Sequence, residues 1–171
     1  MKRIKFLLLF LTISTTVSFA QKTVEATDEI NIFGLVDKPT TIPFATIAEQ
    51  PTTTIESFKV TNHLGEFKKE YKNVKAVALL YILQKLNITT TSPKLLSEYY
   101  FVFRGSDGYA VVYSWNEIFN TNIGNSIFIV TEADNKKLTE STDRILLIST
   151  RDFKTGRRHI KGLKSIEIKR I

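Results

Sequence analysis

Cysteine is absent from this 171-residue chain, which has only seven glycines and four prolines. Without cysteine the protein has no disulfides, no thiolate metal ligands and no cysteine nucleophile. The glycine-rich fingerprints of phosphate and dinucleotide binding are missing, as is the Gly-x-Ser-x-Gly of many hydrolases. Beyond the N-terminal segment, no apolar run approaches the roughly 20 residues of a membrane-spanning helix. We therefore predict no catalytic residue and no membrane span.

The first 20 residues are predicted to be a secretory signal peptide. Basic residues open the segment, an apolar run from Phe6 to Ile13 follows, and the small residue Ala20 ends it. This order is typical of a cleavable signal. We expect cleavage near Ala20 and a periplasmic or secreted protein. Residues 21–29 would then be a flexible lead-in to one domain over residues 30–171.

The positive charge is concentrated near the C-terminus. Residues 151–171 hold eight basic and two acidic residues, whereas residues 21–150 carry a net charge of −2. Such a local cluster can face one anionic partner. Arg157 and Arg158 are candidate anion-binding residues because guanidinium groups offer paired donors; a solvated surface is the plainer alternative. No nucleic-acid partner is expected, because aromatic residues do not interleave with the basic ones.

Short strands dominate the predicted secondary structure. They are predicted at residues 30–36, 55–61, 67–71, 99–103, 109–113, 126–130, 144–150 and 165–171. Helices are predicted at 41–49, 92–96, after a Ser114–Glu117 capping box, and over the Leu- and Ala-rich segment 74–86. The irregular order predicts an α+β fold of mostly β mixed sheets with a few short helices. The charges of the last strand also fit an edge position.

Two groups of residues are candidates for a ligand or metal site. Arg104, Asp107 and Tyr109 flank a tight turn and are candidates for binding a polar ligand, although Asp107-Gly108 also fits a hairpin corner alone. His63 and His159 lie far apart in the sequence and lack the spacing of zinc ligands. We therefore interpret both histidines as solvated loop residues and predict no metal site.

The order of several short segments resembles the sulfite-oxidase-type molybdopterin-binding domain family. The segments span residues 30–169 and comprise Ile32–Ile42, Tyr71–Leu83, Asp107–Tyr109 with Glu117, Arg144–Ile148 and Ile160–Ile166. Their order and spacing carry the resemblance, not any single motif. It implies that family's fold, and pterin or anion binding by Arg104 and by Arg158 or Lys161.

The departures from that family bear on function. Active members ligate molybdenum through a cysteine thiolate, near the position of Val60–His63 here, and a hydroxyl or amide does not replace this soft ligand. Asn73 and Gly162 stand where the family has Gly and Trp. Cofactor-loaded members usually leave the cytoplasm folded by the twin-arginine route, whereas this signal has Lys2-Arg3. Molybdopterin is thus implied by resemblance only, and we expect no cofactor.

Three functions stay open at this point. The first is an exported, non-catalytic member of the family that binds a small anionic ligand or an envelope protein. The second is a molybdopterin-dependent oxidoreductase with an atypical metal ligand set. The third is an envelope interaction protein that uses its basic C-terminal face. The missing cysteine and the kind of signal peptide both favour a protein that is not an enzyme.

Overall fold

The computed structural model of the protein describes residues 23–171, so the predicted signal peptide lies outside the described residues. The strands are β1 (Glu29–Gly34), β2 (Thr40–Pro43), β3 (Thr53–Thr61), β4 (Phe67–Ala78), β5 (Tyr99–Gly105), β6 (Ala110–Ser114), β7 (Ile127–Ala133), β8 (Lys136–Lys137), β9 (Leu146–Ser149) and β10 (Leu163–Arg170). The α-helices are α1 (Phe44–Ala48), α2 (Leu79–Leu83) and α3 (Trp115–Phe119). Short 3₁₀ helices cover Pro93–Glu98, Gly124–Ser126, Leu138–Glu140 and Thr155–Arg158. The α+β prediction is confirmed.

The first sheet has the strand order β2-β1-β10-β5-β6. β1 and β10 pair in parallel and the other neighbours are antiparallel, so the sheet is mixed. β10 lies at its centre, with Ile166 and Ile168 buried. The edge position considered for the C-terminal strand is therefore wrong.

Gly34 allows β1 to lie against β10. Its φ is +97°, a backbone conformation that residues with a side chain rarely adopt. A Cβ at this position would lie 2.2 Å from the carbonyl oxygen of Ile168. Glycine is thus required here by both the backbone angle and the close approach.

The second sheet is antiparallel and is organised around β7. β3 pairs with β4, and β4 pairs with β7. β8 joins the C-terminal end of β7, and β9 joins its N-terminal end. Buried side chains from both sheets, among them Ile30, Phe103, Ile129 and Ile166, form one hydrophobic core.

The helix predicted over residues 74–86 is mostly wrong. β4 continues to Ala78, and only Leu79–Leu83 are helical. Ala76 and Val77 are both buried, so the end of β4 is covered on its two faces. A continuous apolar run of this kind does not distinguish a buried strand from a helix, and pairing with β7 overrides the helix propensity of Ala and Leu.

Two other predicted segments are corrected. The helix predicted at 41–49 begins only at Phe44, because residues 40–43 form β2. The predicted flexible lead-in is attached to the domain: the Thr27 N–H donates to the Arg144 carbonyl at 2.6 Å, and the Thr27 hydroxyl donates to the Leu163 carbonyl at 2.9 Å. Among residues 23–171, no helix has the length and apolar character needed to cross a bilayer.

Candidate functional site

An open cleft of about 410 Å³ lies where the β3–β4 turn meets the 3₁₀ helix Thr155–Arg158. We call it the Arg157 cleft. It is lined by Val60, Thr61, Asn62, His63, Lys68, Tyr109, Gly156, Arg157 and His159. Two of these residues are cations, two are histidines and none is a carboxylate. The composition of this lining favours an anion.

The 3₁₀ helix is fixed to the end of β3. The Thr155 hydroxyl accepts a hydrogen bond from the Thr61 N–H at 2.9 Å and donates to the Lys59 carbonyl at 2.7 Å. Gly156 packs so closely that a Cβ there would lie 2.2 Å from the Thr61 carbonyl oxygen. These contacts place Arg157 at the mouth of the cleft.

Arg157 is also attached to the β5–β6 turn. The Tyr109 hydroxyl donates to the Arg157 carbonyl at 2.7 Å, and Asp107 accepts the Tyr109 N–H at 2.9 Å. The carboxylate of Asp107 thereby stabilises the β5–β6 turn, as expected for a hairpin corner. The exposed Arg157 side chain has no ion-pair partner within residues 23–171. Its backbone is therefore anchored while its side chain is exposed in the lining of the cleft.

The β3–β4 turn occupies the region that the resemblance relates to the family's metal-ligating cysteine. The Asn62 side-chain carbonyl accepts the N–H groups of Leu64 and Glu66 at 2.9 and 3.0 Å, and the Asn62 amide donates to Glu66 at 2.7 Å. The Thr61 hydroxyl accepts the Thr155 N–H at 3.2 Å. Both polar side chains are committed to holding the turn, and neither is a thiolate. These residues do not fit the molybdenum site of the family.

The two histidines of the cleft differ in environment. His63 is exposed, as predicted. His159 is half-buried against the rings of Phe58 and Tyr71, and its Nε2 lies 3.3 Å from the Tyr71 hydroxyl. Burial, with the nearby Lys161 charge, lowers the pKa of His159 to about 4. The solvated-loop interpretation is wrong for His159, which is a neutral packing residue at neutral pH.

Lys161 forms an ion pair with Asp143 outside the Arg157 cleft. Its ammonium is 3.0 Å from a carboxylate oxygen of Asp143, and Lys69 approaches the other oxygen at 3.9 Å. The Tyr71 hydroxyl donates to Asp143 at 3.3 Å, and burial followed by the Asp143 charge raises the pKa of Tyr71. Lys161 is ion-paired to Asp143 and does not line the Arg157 cleft, so we leave this residue out of the candidate site.

Arg158 is bound to acidic residues within the protein. Its Nε donates to Asp152 at 2.7 Å and its Nη1 to Glu117 at 3.1 Å, with a further bond from Nη2 to Asp152. The guanidinium lies over the Tyr113 ring at 4.4 Å. Only 20% of the Arg158 side chain is exposed. Its contacts are those of a structural residue, and we leave it out of the site as well.

Arg104 lies apart from the cleft. It is exposed on β5, opposite Ser165 of β10 and Ala110 of β6. Of the six candidate residues, the structure brings only Tyr109 and Arg157 into the cleft lining. The sequence did not predict Lys68 and the two histidines as lining residues, because only the fold places the β3–β4 turn next to the segment at residues 156–159.

The C-terminal basic cluster divides into two classes. Four of its eight residues form ion pairs with acids: Arg158, Lys161, Lys169 and Arg170. The other four have no such pair in the described part of the chain: Arg151, Lys154, Arg157 and Lys164. Within residues 23–171, no group of three or more His, Asp or Glu side chains is arranged to hold a metal ion.

Comparison with known proteins gives a fold relation only. No family model and no curated protein matches the chain. Among solved structures, the sulfane dehydrogenase SoxCD from Paracoccus pantotrophus matches with a TM-score of 0.58 and 13% identity. The match covers 85% of this chain but only 39% of the enzyme chain. The described domain is thus distantly similar to the sulfite-oxidase-like fold, and it spans about two fifths of the enzyme chain that it matches.

Proposed function

We propose that this protein is an exported, non-catalytic binding domain of the sulfite-oxidase-type fold that takes a small oxyanion in the Arg157 cleft. The observation that supports this most strongly is the lining of the cleft, which combines Arg157 and Lys68 with no carboxylate. A cleft lined by one sign of charge concentrates ions of the opposite sign. An oxyanion such as sulfate or phosphate matches the guanidinium geometry.

Arg157 is the main contributor to anion affinity. Lys68 is 3.5 Å from Glu66, so part of its charge is balanced. Arg157 is exposed and has no ion pair in residues 23–171, and its backbone is fixed by Tyr109. A hydrogen bond to a charged group contributes about 1.5–3 kcal/mol. Loss of the Arg157 side chain should therefore weaken binding roughly tenfold to a hundredfold.

The non-catalytic part of the proposal rests on the chemistry of the side chains. The full chain has no cysteine, and the polar groups of Thr61 and Asn62 are used by the turn. His159 is neutral and engaged with Tyr71. No nucleophile with an adjacent base results from this arrangement.

Isothermal titration calorimetry with sulfate and with phosphate at low ionic strength tests the proposal. The exported protein should bind one anion, and R157A should bind at least tenfold more weakly, with a smaller salt dependence. Lys164 is exposed and without an ion pair in the described residues, so K164A is a matched control and should bind as the parent protein does. If R157A bound the anion as tightly as the parent protein, the anion site would not be the Arg157 cleft. Stoichiometric molybdenum in the exported protein would overturn the non-catalytic assignment.

A further inference from the structure

The loop Arg151–Lys154 presents an unusual combination of side chains to solvent. It connects β9 to the 3₁₀ helix Thr155–Arg158. Phe153 is fully exposed, more so than any other large apolar residue in the described chain. Arg151 and Lys154 are exposed on either side of it and have no ion pair within residues 23–171. We call this segment the Phe153 loop.

Asp152 does not neutralise the loop, although it lies between the two basic residues in sequence. Its carboxylate points inward, where it accepts hydrogen bonds from Arg158 and from the Ser149 hydroxyl at 3.0 Å. Only 10% of the Asp152 side chain is exposed. The outward face of the loop therefore consists of one aromatic ring between two uncompensated cations.

The backbone of a third basic residue, Lys59, lies next to the end of the loop. The carbonyl of Lys59 accepts a hydrogen bond from Thr155, which follows Lys154 directly. The side chain of Lys59 is exposed and has no ion pair among the described residues. The basic character of the loop thus extends onto the neighbouring strand β3.

We propose that the Phe153 loop docks the protein on an anionic phospholipid surface. The Phe153 ring enters the interfacial region, and Arg151, Lys154 and Lys59 face lipid phosphates. This combination supplies the two signals, apolar insertion and basic attraction, that peripheral binding requires. The inference does not depend on anion binding in the Arg157 cleft, whose lining excludes Phe153, Arg151 and Lys154.

A lipid surface fits this loop better than an acidic protein does. Protein partners that anchor an aromatic residue bind it as part of a well-packed patch. The Phe153 ring is fully exposed and has no neighbouring surface around it. A deformable bilayer interface accommodates a single protruding ring, and phosphates bind cations at many lateral positions. The charge pattern matches an anionic surface without requiring a shaped partner.

The expected magnitude follows from the side chains involved. Each basic residue near an anionic bilayer contributes about fivefold in partitioning at physiological salt. Burial of part of an aromatic side chain contributes roughly tenfold. Binding should therefore be reversible, strong only with anionic lipids, and reduced by salt.

Vesicle co-sedimentation tests the proposal, using exported protein with the signal peptide removed. Vesicles contain either phosphatidylcholine alone or phosphatidylcholine with phosphatidylglycerol. We expect binding to the anionic vesicles only, roughly tenfold weaker for F153A and about twenty-five-fold weaker for R151Q/K154Q. Phe33 and Lys164 are exposed in the first sheet, so F33A and K164Q are matched controls and should bind as the parent protein does.

A fluorescence measurement keeps the test independent of any loss of fold. F153W is made in a W115F background, because Trp115 is the one tryptophan of the sequence. The indole at the tip of the loop is then the one indole emitter, and its emission should shift to shorter wavelength when anionic vesicles are added. No vesicle binding by the parent protein, or equal binding by F153A and the parent, would overturn the proposal. So would an unshifted emission of F153W, or equal binding to both kinds of vesicle.

Discussion

Replacement of Arg158 by alanine should destabilise the protein strongly, although this residue belongs to a basic cluster that looks solvated in the sequence. Arg158 binds Asp152 and Glu117, and its guanidinium covers the Tyr113 ring. The R158A variant leaves Asp152 nearly buried, with only the Ser149 hydroxyl as a donor. The cost comes mainly from this uncompensated carboxylate.

The magnitude can be worked out from the exposure of the partners. Breaking a buried ion pair by removing one partner costs about 3–5 kcal/mol. Arg158 and Glu117 are 20% and 34% exposed, so water screens part of the interaction. The low end applies, about 3 kcal/mol. For a domain of this size the loss corresponds to roughly 6–12 °C in Tm.

Equilibrium unfolding in urea measures this free energy. R157A is the matched control, because the neighbouring arginine has no ion pair in residues 23–171; it should lose less than about 0.5 kcal/mol. The double variant R158A/D152A should lose less than the sum of the two single variants, since it removes the orphaned charge as well. A loss below about 1 kcal/mol for R158A, or equal losses for R158A and R157A, would show that the Arg158–Asp152 ion pair is not a major source of stability.

Three further predictions concern stability. The pKa of His159 is about 4 in the folded protein and about 6.5 in the unfolded chain, so the unfolded chain binds more protons between these pH values. The free energy of unfolding should therefore fall by up to about 3 kcal/mol from pH 6.5 to pH 4. The H159Q variant should show a flatter pH dependence of this free energy, measured by urea unfolding. G34A should lower the free energy of unfolding by more than about 2 kcal/mol, because its Cβ meets the Ile168 carbonyl. G108A, at φ +85° with open space around the Cβ, should lower it by about 1 kcal/mol, and similar losses for the two variants would contradict this prediction. S114A removes a capping-box bond and should lower stability by about 1 kcal/mol in thermal denaturation, with no loss counting against the cap.

Local signals in the sequence predicted local structure well. The Ser114–Glu117 spacing forms a capping box at α3, and Ser92 caps the 3₁₀ helix that begins at Pro93. These features depend on neighbouring residues only, so sequence spacing determines them. The strands around the Asp107-Gly108 turn likewise form a hairpin, as β5 and β6.

Non-local pairing accounts for the main errors. The Leu and Ala content of the segment 74–86 predicts a helix, but residues 75–78 pair with β7, 50 to 57 positions away. The central position of β10 depends on its pairing with β1, from the start of the described chain. Periodicity within one segment carries no information about such partners.

The candidate site was predicted only in part for the same reason. Arg157 and Arg158 are adjacent in the sequence, and nothing in the sequence distinguishes a ligand-binding arginine from a structural one. In the structure the first faces the cleft and the second binds Asp152 and Glu117. His159 also required the fold, because its packing against Phe58 and Tyr71 joins residues about 90–100 positions apart.

Anion binding in the Arg157 cleft can be tested by an NMR titration of ¹⁵N-labelled protein comprising residues 21–171 with sulfate. The amide signals of residues that line the Arg157 cleft should shift together and saturate at one equivalent of bound anion: Thr61, Asn62, His63, Tyr109, Gly156, Arg157 and His159. The same titration of R157A should leave them in place at the same sulfate concentrations. Shifts confined to other regions, or saturable shifts that persist unchanged in R157A, would contradict anion binding in the Arg157 cleft.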